Sequence, residues 1–186
     1  MAFWEGGAWS YVDVAAGLRG EGLADVTPDT FYDLASLTKP WVAITALRLH
    51  QAGLFDLGAS VDLLLPEARG LPIGARTWEE VLSHRSGLEA WVPFYETLPA
   101  EPGSDAARDW VLHELLPHWK QGAVGTSVYS DLGYILAAFA MSRSVERPLN
   151  EIVTERLSSA LGLEETVFFG AAQPREDWKA RCAPTG

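Results

Sequence analysis

A serine and a lysine stand three residues apart at the start of an apolar stretch, DLASLTKPWVAITALRLHQAG, which begins at Asp33. Side chains three apart on a helical turn lie on one face, so Ser36 and Lys39 are predicted to point the same way. A serine hydroxyl is a weak nucleophile until a base takes its proton, and a lysine amine is such a base when desolvation lowers its pKa. The pair therefore suits attack of Ser36 on a carbonyl carbon, with an acyl-enzyme as the product.

The same two residues also have a purely structural interpretation, because S-x-x-K occurs by chance in many soluble proteins. Ser36 would then cap a helix, and Lys39 would lie on the solvated face of that helix. Pro40 restricts the geometry, since a proline inside a regular helix clashes with the carbonyl four residues before it, here that of Ser36. Either Pro40 lies in the first helical turn, or residues 36–39 form a tight turn that leads into the helix.

The elements that must position these residues follow from apolar spacing and turn residues. Two short strands that meet at Gly6-Gly7 are indicated in AFWEGGAWSYVDVAAG. Residues 41–52 are apolar nearly all round, which predicts a helix buried on most sides that stops at Gly53. A further helix is predicted after Thr77, which forms a capping box with Glu80, and it should end near Gly87. Three more helices are predicted to begin at Asp105, Ser130 and Pro148, and the last of them should end at Gly162.

Composition narrows the class of protein. The 186 residues are enough for one domain with a real core, and the formal net charge of −11 argues against nucleic acid or an anionic membrane as a partner. With a single cysteine, Cys182, the sequence offers no disulfide framework and no thiolate metal cluster. No transmembrane segment or leader sequence is indicated, which predicts a cytoplasmic protein, or a periplasmic or secreted one if a signal peptide has been removed.

Three strings in this order resemble motifs of the serine beta-lactamase-related family, which includes class C beta-lactamases, D-Ala-D-Ala carboxypeptidases and esterases. They are DLASLTKP, LSHRSGL from Leu82 and YSDLGY from Tyr129. The resemblance covers nearly the whole chain and implies an α/β (α+β) fold, in which an antiparallel sheet is flanked by helices and joined to an all-α lobe. It also implies that Ser36 is acylated, that Lys39 and Tyr129 handle its proton, and that no metal or organic cofactor is needed.

The string at Tyr129 departs from the family pattern at Asp131, where many members have asparagine. An ionised aspartate only accepts hydrogen bonds, so this substrate-binding position lacks an amide donor for a substrate carbonyl. We expect Asp131 to pair with Lys39 and to raise the pKa of that lysine, and a helix N-cap is its structural alternative. The departure weighs against beta-lactamase activity more than against esterase or peptidase activity. Tyr129 itself would need Lys39 and low solvent access to favour its phenolate.

A third family motif, K-T-G or H-x-G on a strand, has no counterpart after Tyr129. The sequence is therefore interpreted as one partial beta-lactamase-like domain over residues 1–186. Its predicted parts are strands at 1–32, a nucleophile-bearing helix at 33–53, a helical lobe at 54–170 and a tail at 171–186 that leads to missing strands. Unpaired strands expose their edges, so association with a C-terminal companion segment or self-association is expected.

Several functions remain open at this point. The leading hypothesis is a serine hydrolase that acts on a small-molecule or peptide amide or ester, and the residues do not separate a carboxypeptidase from a carboxylesterase. The alternative is a non-catalytic penicillin-binding-like module, or a fragment that is inactive without its C-terminal part. A metal site in HELLPH is disfavoured, because His113 and His118 are five residues apart with Pro117 between them. His84 is interpreted as a structural residue with a hydrogen bond.

Overall fold

The computed structural model describes residues 2–5, 8–11, 18–19, 24–101, 104–167, 169 and 180–183, and for residues 2–5, 8–11, 18–19, 24 and 121–123 it gives the backbone alone. The chain divides into two compact units. The described residues of Met1–Leu37 and Phe169–Gly186 belong to the first unit, and those of Thr38–Phe168 belong to the second. Within this described part, no helix combines the length and apolar character that a membrane crossing requires.

Helices dominate the second unit, as the apolar periodicity predicts. The α-helices are α1 (Thr38–Gln51), α2 (Val61–Leu64), α3 (Trp78–Leu82), α4 (Asp105–Leu115), α5 (Asp131–Val145) and α6 (Leu149–Val153). Short 3-10 helices lie at Pro66–Ala68, Pro72–Ala75, Phe94–Glu96 and Ser159–Leu161, and a π-helical turn lies at Thr154–Ser158. The helix predicted from Pro148 to Gly162 is thus α6 followed by a wider and then a tighter turn, and it ends at Gly162 in the left-handed conformation.

The strands form antiparallel pairs. They are β1 (Ala2–Glu5) with β2 (Ala8–Tyr11), β3 (Leu18–Arg19) with β4 (Ala24–Asp25), and β5 (Ser86–Leu88) with β6 (Trp119–Val124). The predicted N-terminal hairpin is confirmed, with Ala2 opposite Tyr11, although the turn at Gly6-Gly7 lies outside the described residues. The ladder of β5 with β6 lies inside the segment predicted to be helical, and the sequence pattern does not indicate it.

Within the first unit, the residues near the C-terminus return to the segment before the serine. Phe31 donates its backbone N–H to the Arg181 carbonyl and accepts from the N–H of Ala183, at 2.9 and 2.8 Å. The Arg181 guanidinium lies over the Phe31 ring, 4.4 Å from its centroid, and donates to the Asp29 carbonyl. Most of the predicted tail at 171–186 lies outside the described residues.

Helix α1 is less buried than predicted. Its buried residues include Val42, Ala46 and Leu49, whereas Ile44 and Leu47 are 45 % and 51 % exposed. The prediction of burial on most sides is therefore wrong, because only one face of α1 packs on the core of the second unit. Pro40 is the third residue of the helix, where the backbone N–H has no intrahelical partner, so the proline costs no helical hydrogen bond.

Helix α3 begins with the predicted capping box and ends earlier than predicted. The Thr77 hydroxyl accepts from the Glu80 N–H at 3.2 Å, and the Glu80 carboxylate accepts from the Thr77 N–H at 2.9 Å. The helix ends at Leu82, so the prediction of an end near Gly87 is wrong. Gly87 lies in β5 with φ of +89°, and a Cβ there would be 2.9 Å from the Lys120 carbonyl oxygen. The glycine therefore serves the close approach of β5 to β6, not a helix end.

The core of the second unit lies between α1, α3 and α5. Trp78 is fully buried, and its ring packs against Phe55 with centroids 5.4 Å apart. Gly133 lets α5 approach α3, since a Cβ at this position would lie 3.2 Å from the Val81 carbonyl oxygen. This packing fixes the N-terminal end of α5, where the candidate site residues are found.

Candidate active site

Ser36 lies in a 3-10 turn, Ala35–Leu37, that ends one residue before α1 begins. The turn is held by the Asp33 carboxylate, which accepts from the Ala35 N–H at 2.8 Å, and by the Leu37 N–H, which donates to the Leu34 carbonyl. Ala35 has φ of 44°, so the chain makes a tight, left-handed entry to the serine. Both of the predicted alternatives for Pro40 are found, because Ser36 lies in a tight turn and Pro40 lies in the first turn of α1.

Lys39 lies in the first turn of α1, and its side chain is mostly buried. The ammonium nitrogen lies 2.5 Å from a carboxylate oxygen of Asp131. It also lies over the Tyr129 ring, 4.6 Å from the centroid, and 6.0 Å from the centroid of Tyr134. The predicted pairing with Asp131 is confirmed. The structure thus brings Lys39, Tyr129 and Asp131 together in the second unit, whereas Ser36 belongs to the first.

Asp131 is not the helix N-cap that its structural alternative proposed. Ser130 caps α5, because its hydroxyl accepts from the Gly133 N–H at 3.3 Å, while Asp131 is the first helical residue. The Ser130 hydroxyl also donates to the Glu89 carbonyl at 2.6 Å, and the Asp131 N–H donates to the Ala90 carbonyl at 2.8 Å. With the cap supplied by Ser130, the carboxylate of Asp131 is left to pair with Lys39.

The protonation of Lys39 follows from these contacts. Burial lowers the pKa of Lys39, but the hydrogen bonds to Asp131 and Tyr129 and the negative charge that both can carry outweigh it, so the pKa lies above its usual value. Lys39 is therefore an ammonium ion at neutral pH. The condition under which Lys39 would act as a neutral base, a pKa lowered by desolvation, is therefore not met, and the expectation that Asp131 raises its pKa is confirmed.

Tyr129 has the predicted cationic neighbour and lacks the predicted shelter from solvent. Its side chain is 55 % exposed. The Lys39 ammonium lies 4.6 Å from the centroid of the Tyr129 ring and forms a hydrogen bond with the tyrosine side chain. Of the two conditions set for Tyr129, the cationic neighbour is therefore present and the low solvent access is not.

His84 and Tyr134 complete the surroundings of Tyr129. The His84 ring lies 4.8 Å from the Tyr129 ring and 5.2 Å from that of Tyr134, between centroids. Its Nδ1 accepts from the Ser130 N–H at 3.0 Å, which confirms the hydrogen bond predicted for this residue. Tyr134 was not singled out from the sequence, although it ends the string YSDLGY. Its hydroxyl donates to the Leu82 carbonyl at 2.9 Å, and burial raises its pKa.

His118 of the HELLPH string and several residues near β5 have contacts outside the cluster of Lys39, Tyr129 and Asp131. His118 lies 3.0 Å from the Glu89 carboxylate, which Lys120 also contacts at 2.8 Å. The described residues contain no group of three or more His, Cys, Asp or Glu side chains placed to hold a metal ion. Ser86 is buried in β5, where its carbonyl accepts from the Trp119 indole N–H at 2.7 Å. Trp91 is 55 % exposed and lies beside Tyr95 on the segment that follows β5.

The family of this chain follows from its match to known proteins. The model of the beta-lactamase family matches residues 2–185. The chain therefore belongs to the beta-lactamase family, in agreement with the resemblance carried by Ser36, Lys39 and Tyr129.

Individual relatives give the same assignment. Esterase EstB of Burkholderia gladioli is 34 % identical over 176 residues, which cover 84 % of this chain and 45 % of the esterase. A class C beta-lactamase from Rhodobacter sphaeroides is 27 % identical with a TM-score of 0.64, and the match covers 84 % of this chain and 42 % of that structure. A beta-lactamase structure from Sulfitobacter sp. EE-36 is 24 % identical with a TM-score of 0.71, covering 96 % and 45 %.

These matches establish the fold, which is that of the beta-lactamases. The predicted fold class is thus confirmed, with helices and small antiparallel strand pairs making up the described part. The chain spans less than half the length of the relatives that it matches.

Proposed function

We propose that this chain supplies the acylating residues of a serine hydrolase, with Ser36 as the nucleophile. The observation that carries the proposal is the cluster of Lys39, Tyr129 and Asp131, because it places a cation that is paired with a carboxylate beside a tyrosine. Lys39, held as an ammonium ion, cannot accept the serine proton. Tyr129 is therefore the proton acceptor, and Lys39 favours its phenolate.

The reaction has two steps. In the first, the Ser36 oxygen bonds to the substrate carbonyl carbon, the bond to the leaving alcohol or amine breaks, and the serine proton passes through Tyr129 to the leaving group. In the second, water attacks the acyl-enzyme, the released acid departs, and the Ser36 hydroxyl is restored.

We propose an ester as the preferred substrate, in place of a beta-lactam. The carboxylate of Asp131 is engaged by Lys39 at 2.5 Å, and an ionised carboxylate has no hydrogen to donate to an amide carbonyl. The leaving alcohol of an ester departs more readily than an amine and depends less on such a donor. The similarity to an esterase at 34 % identity supports the same choice.

Hydrolysis assays with paired substrates test this proposal. We expect saturable hydrolysis of p-nitrophenyl acetate and butyrate, with kcat/KM lower by at least about 100-fold in Ser36→Ala. A chromogenic cephalosporin should be turned over at least about 100-fold less efficiently than the esters. Ser127→Ala, an exposed serine close to Tyr129 in sequence, is the matched control and should leave the rates unchanged. Equal ester hydrolysis in the wild type and in Ser36→Ala would refute the proposal.

A binding module without turnover is the second candidate, and the tight Lys39–Asp131 pair favours it because a paired lysine is less free to assist a proton transfer. Such a protein would bind a beta-lactam or an ester and release no product. Isothermal titration with penicillin, run beside the hydrolysis assay, separates the two functions. Binding in the absence of any Ser36-dependent product would favour the module.

Association with a further polypeptide segment is also proposed. It is supported by the exposed apolar side chains of α1, Ile44 and Leu47. Light scattering on a purified sample tests this, because self-association should give a mass above that of one chain, and Leu47→Glu should reduce it. A monomer at all concentrations that binds no added C-terminal segment would argue against the association.

A further inference from the structure

We propose that His84 is a positioning residue that holds Tyr129 in place by binding the peptide N–H groups on both sides of it. The inference rests on the proposed function of Tyr129, and it adds a residue that the S-x-x-K and Y-x-N strings do not include. It identifies what keeps an exposed tyrosine in a defined orientation beside Lys39.

His84 accepts the two hydrogen bonds through two different groups, its backbone carbonyl and its imidazole ring. The His84 carbonyl accepts from the N–H of Val128 at 2.9 Å. The His84 Nδ1 accepts from the N–H of Ser130 at 3.0 Å. Val128 and Ser130 are the residues directly before and after Tyr129, so His84 binds the backbone on either side of the tyrosine.

The backbone of His84 is arranged for this double contact. Its φ is 61°, in the left-handed region that few residues other than glycine adopt. This left-handed residue ends α3, because the His84 N–H donates to the Val81 carbonyl at 3.1 Å and the Arg85 N–H donates to the Glu80 carbonyl at 2.7 Å. The end of the helix therefore fixes the backbone of His84 where its carbonyl and its ring reach Val128 and Ser130.

The ring of His84 also supports the tyrosine ring directly. It lies between Tyr129 and Tyr134, at 4.8 and 5.2 Å between centroids. Tyr134 is itself fixed by the bond from its hydroxyl to the Leu82 carbonyl. Tyr129 therefore has a rigid aromatic neighbour in addition to Lys39, although more than half of its side chain meets solvent.

The hydrogen bond from Ser130 requires that His84 Nδ1 carry no proton. The charged and titratable groups around the ring are Lys39 from α1, Tyr129 from the preceding segment, and Asp131 and Tyr134 from α5. Burial and the positive charge of Lys39 lower the pKa of His84, and Asp131 opposes them in part. The ring is thus neutral at neutral pH, with its proton on Nε2, and protonation at acidic pH would break the bond to Ser130.

Two substitutions separate the hydrogen bond from the backbone conformation. His84→Asn tolerates positive φ and retains an acceptor where Nδ1 lies, but it does not titrate. His84→Gly adopts positive φ freely and removes the acceptor and the ring. His50→Asn, at the opposite end of α1, is the matched control because its Nδ1 also contacts a backbone N–H, that of Leu57.

The readouts are the rate at which a fluorophosphonate labels Ser36 between pH 5 and 8 and the hydrogen exchange of the Ser130 amide. In the wild type, labelling should fall as one proton is bound below pH 6.5, and the protection factor of the Ser130 amide, taken relative to the intrinsic exchange rate at each pH, should fall over the same range. His84→Asn should lose this acid dependence and stay within about threefold of wild type at pH 8. His84→Gly should be labelled at least about tenfold more slowly at every pH.

The outcomes distinguish this inference from the proposed function. If the wild type is not labelled at Ser36, the proposed function fails, while Ser130 exchange still decides whether His84 holds the segment. If His84→Gly shows wild-type labelling, wild-type pH dependence and a protected Ser130 amide, His84 is not a positioning residue. Where the wild type is labelled, a change in Ser130 exchange in His84→Gly that leaves the labelling rate unchanged would also overturn the inference, since the contact would then be structural only.

Discussion

At the scale of single residues, Asp131 pairs with Lys39 and is one cause of the raised pKa of that lysine. Its carboxylate is the strongest neighbour of the lysine, and asparagine is the residue that many family members have at this position. The two side chains have nearly the same shape and differ in charge and in the ability to donate a hydrogen bond. Their exchange is therefore a direct test of the site electrostatics.

We predict that Asp131→Asn moves the alkaline loss of esterase activity to lower pH. Removing the carboxylate removes a cause that raises the pKa of Lys39, so the ammonium ion is lost at a lower pH than in the wild type. The new amide donor should also increase acylation by a beta-lactam. Measurement of kcat/KM against pH from 7 to 11 checks the first point, and intact mass after incubation with penicillin checks the second.

The control for this change is Asp109→Asn, an exposed acidic residue of α4. It should leave the pH profile and the penicillin adduct as in the wild type. An unchanged alkaline limb in Asp131→Asn would mean that Asp131 does not set the protonation of Lys39.

Candidate site residues could be proposed from the sequence, whereas most of the contacts between them could not. Ser36, Lys39 and Tyr129 stand in short strings, and the effect of Asp131 on Lys39 follows from its charge alone. The role of His84 and Tyr134 depends on hydrogen bonds between residues 46 and 52 apart in the chain, to Ser130 and Leu82. No local pattern encodes such contacts, so the sequence indicated a hydrogen-bonded histidine without its partner.

At the scale of elements, the pairing of β5 with β6 is another contact between distant residues that local sequence patterns do not predict. The capping box of α3 was predictable because Thr77 and Glu80 are three residues apart and bond each other. The pairing of β5 with β6 joins residues more than 30 apart, and Gly87 was therefore interpreted as a helix end. Its positive φ and the nearby Lys120 carbonyl are the actual reasons for glycine at this position.

We predict that Gly87→Ala destabilises the protein by more than Gly70→Ala does. Both glycines have positive φ, at +89° and +76°, and each alanine should cost about 1 kcal/mol or more for that conformation. At Gly87 the new Cβ would also meet the Lys120 carbonyl oxygen at 2.9 Å, whereas at Gly70 no atom lies within 4 Å. Urea unfolding of both variants measures the difference, and equal losses would show that β5 and β6 do not approach as closely as described.

At the scale of the whole molecule, the exposure of one side of α1 could not be predicted from the sequence. A helix that is apolar nearly all round predicts burial on most sides, yet Ile44 and Leu47 are about half exposed. The pattern reports which residues avoid water and does not report what covers them. The fold class, by contrast, was predictable from the order of three motifs, because that order is shared with the family.

The ion pair of Glu67 with Arg143 connects the Pro66–Ala68 turn to α5 and gives a pH-dependent contribution to stability. The guanidinium donates two hydrogen bonds, at 2.7 and 2.5 Å, to the two carboxylate oxygens. These bonds lower the pKa of Glu67, with burial opposing them. A lowered folded-state pKa means that the contribution is present above the unfolded pKa, near 4.3, and is lost as pH falls through the folded value.

We predict that Glu67→Gln lowers the free energy of unfolding at pH 7 by up to about 1 kcal/mol, since both side chains are partly exposed. The difference from the wild type should shrink as pH falls below 4, where Glu67 becomes protonated. Urea unfolding from pH 3 to 7 provides the measurement. Glu96→Gln, at an exposed glutamate, should show no such pH dependence, and a Glu67 variant that behaves like it would rule out the contribution.

The central claim is that Ser36 is a nucleophile activated by the cluster around Lys39, and mass spectrometry after reaction with a fluorophosphonate tests it most directly. We predict one adduct per chain, located on the peptide that contains Ser36 and absent in Ser36→Ala, with labelling slowed at least about tenfold in Lys39→Ala. Labelling of Ser36→Ala at the wild-type rate, or no adduct on this serine in any sample, would contradict the claim.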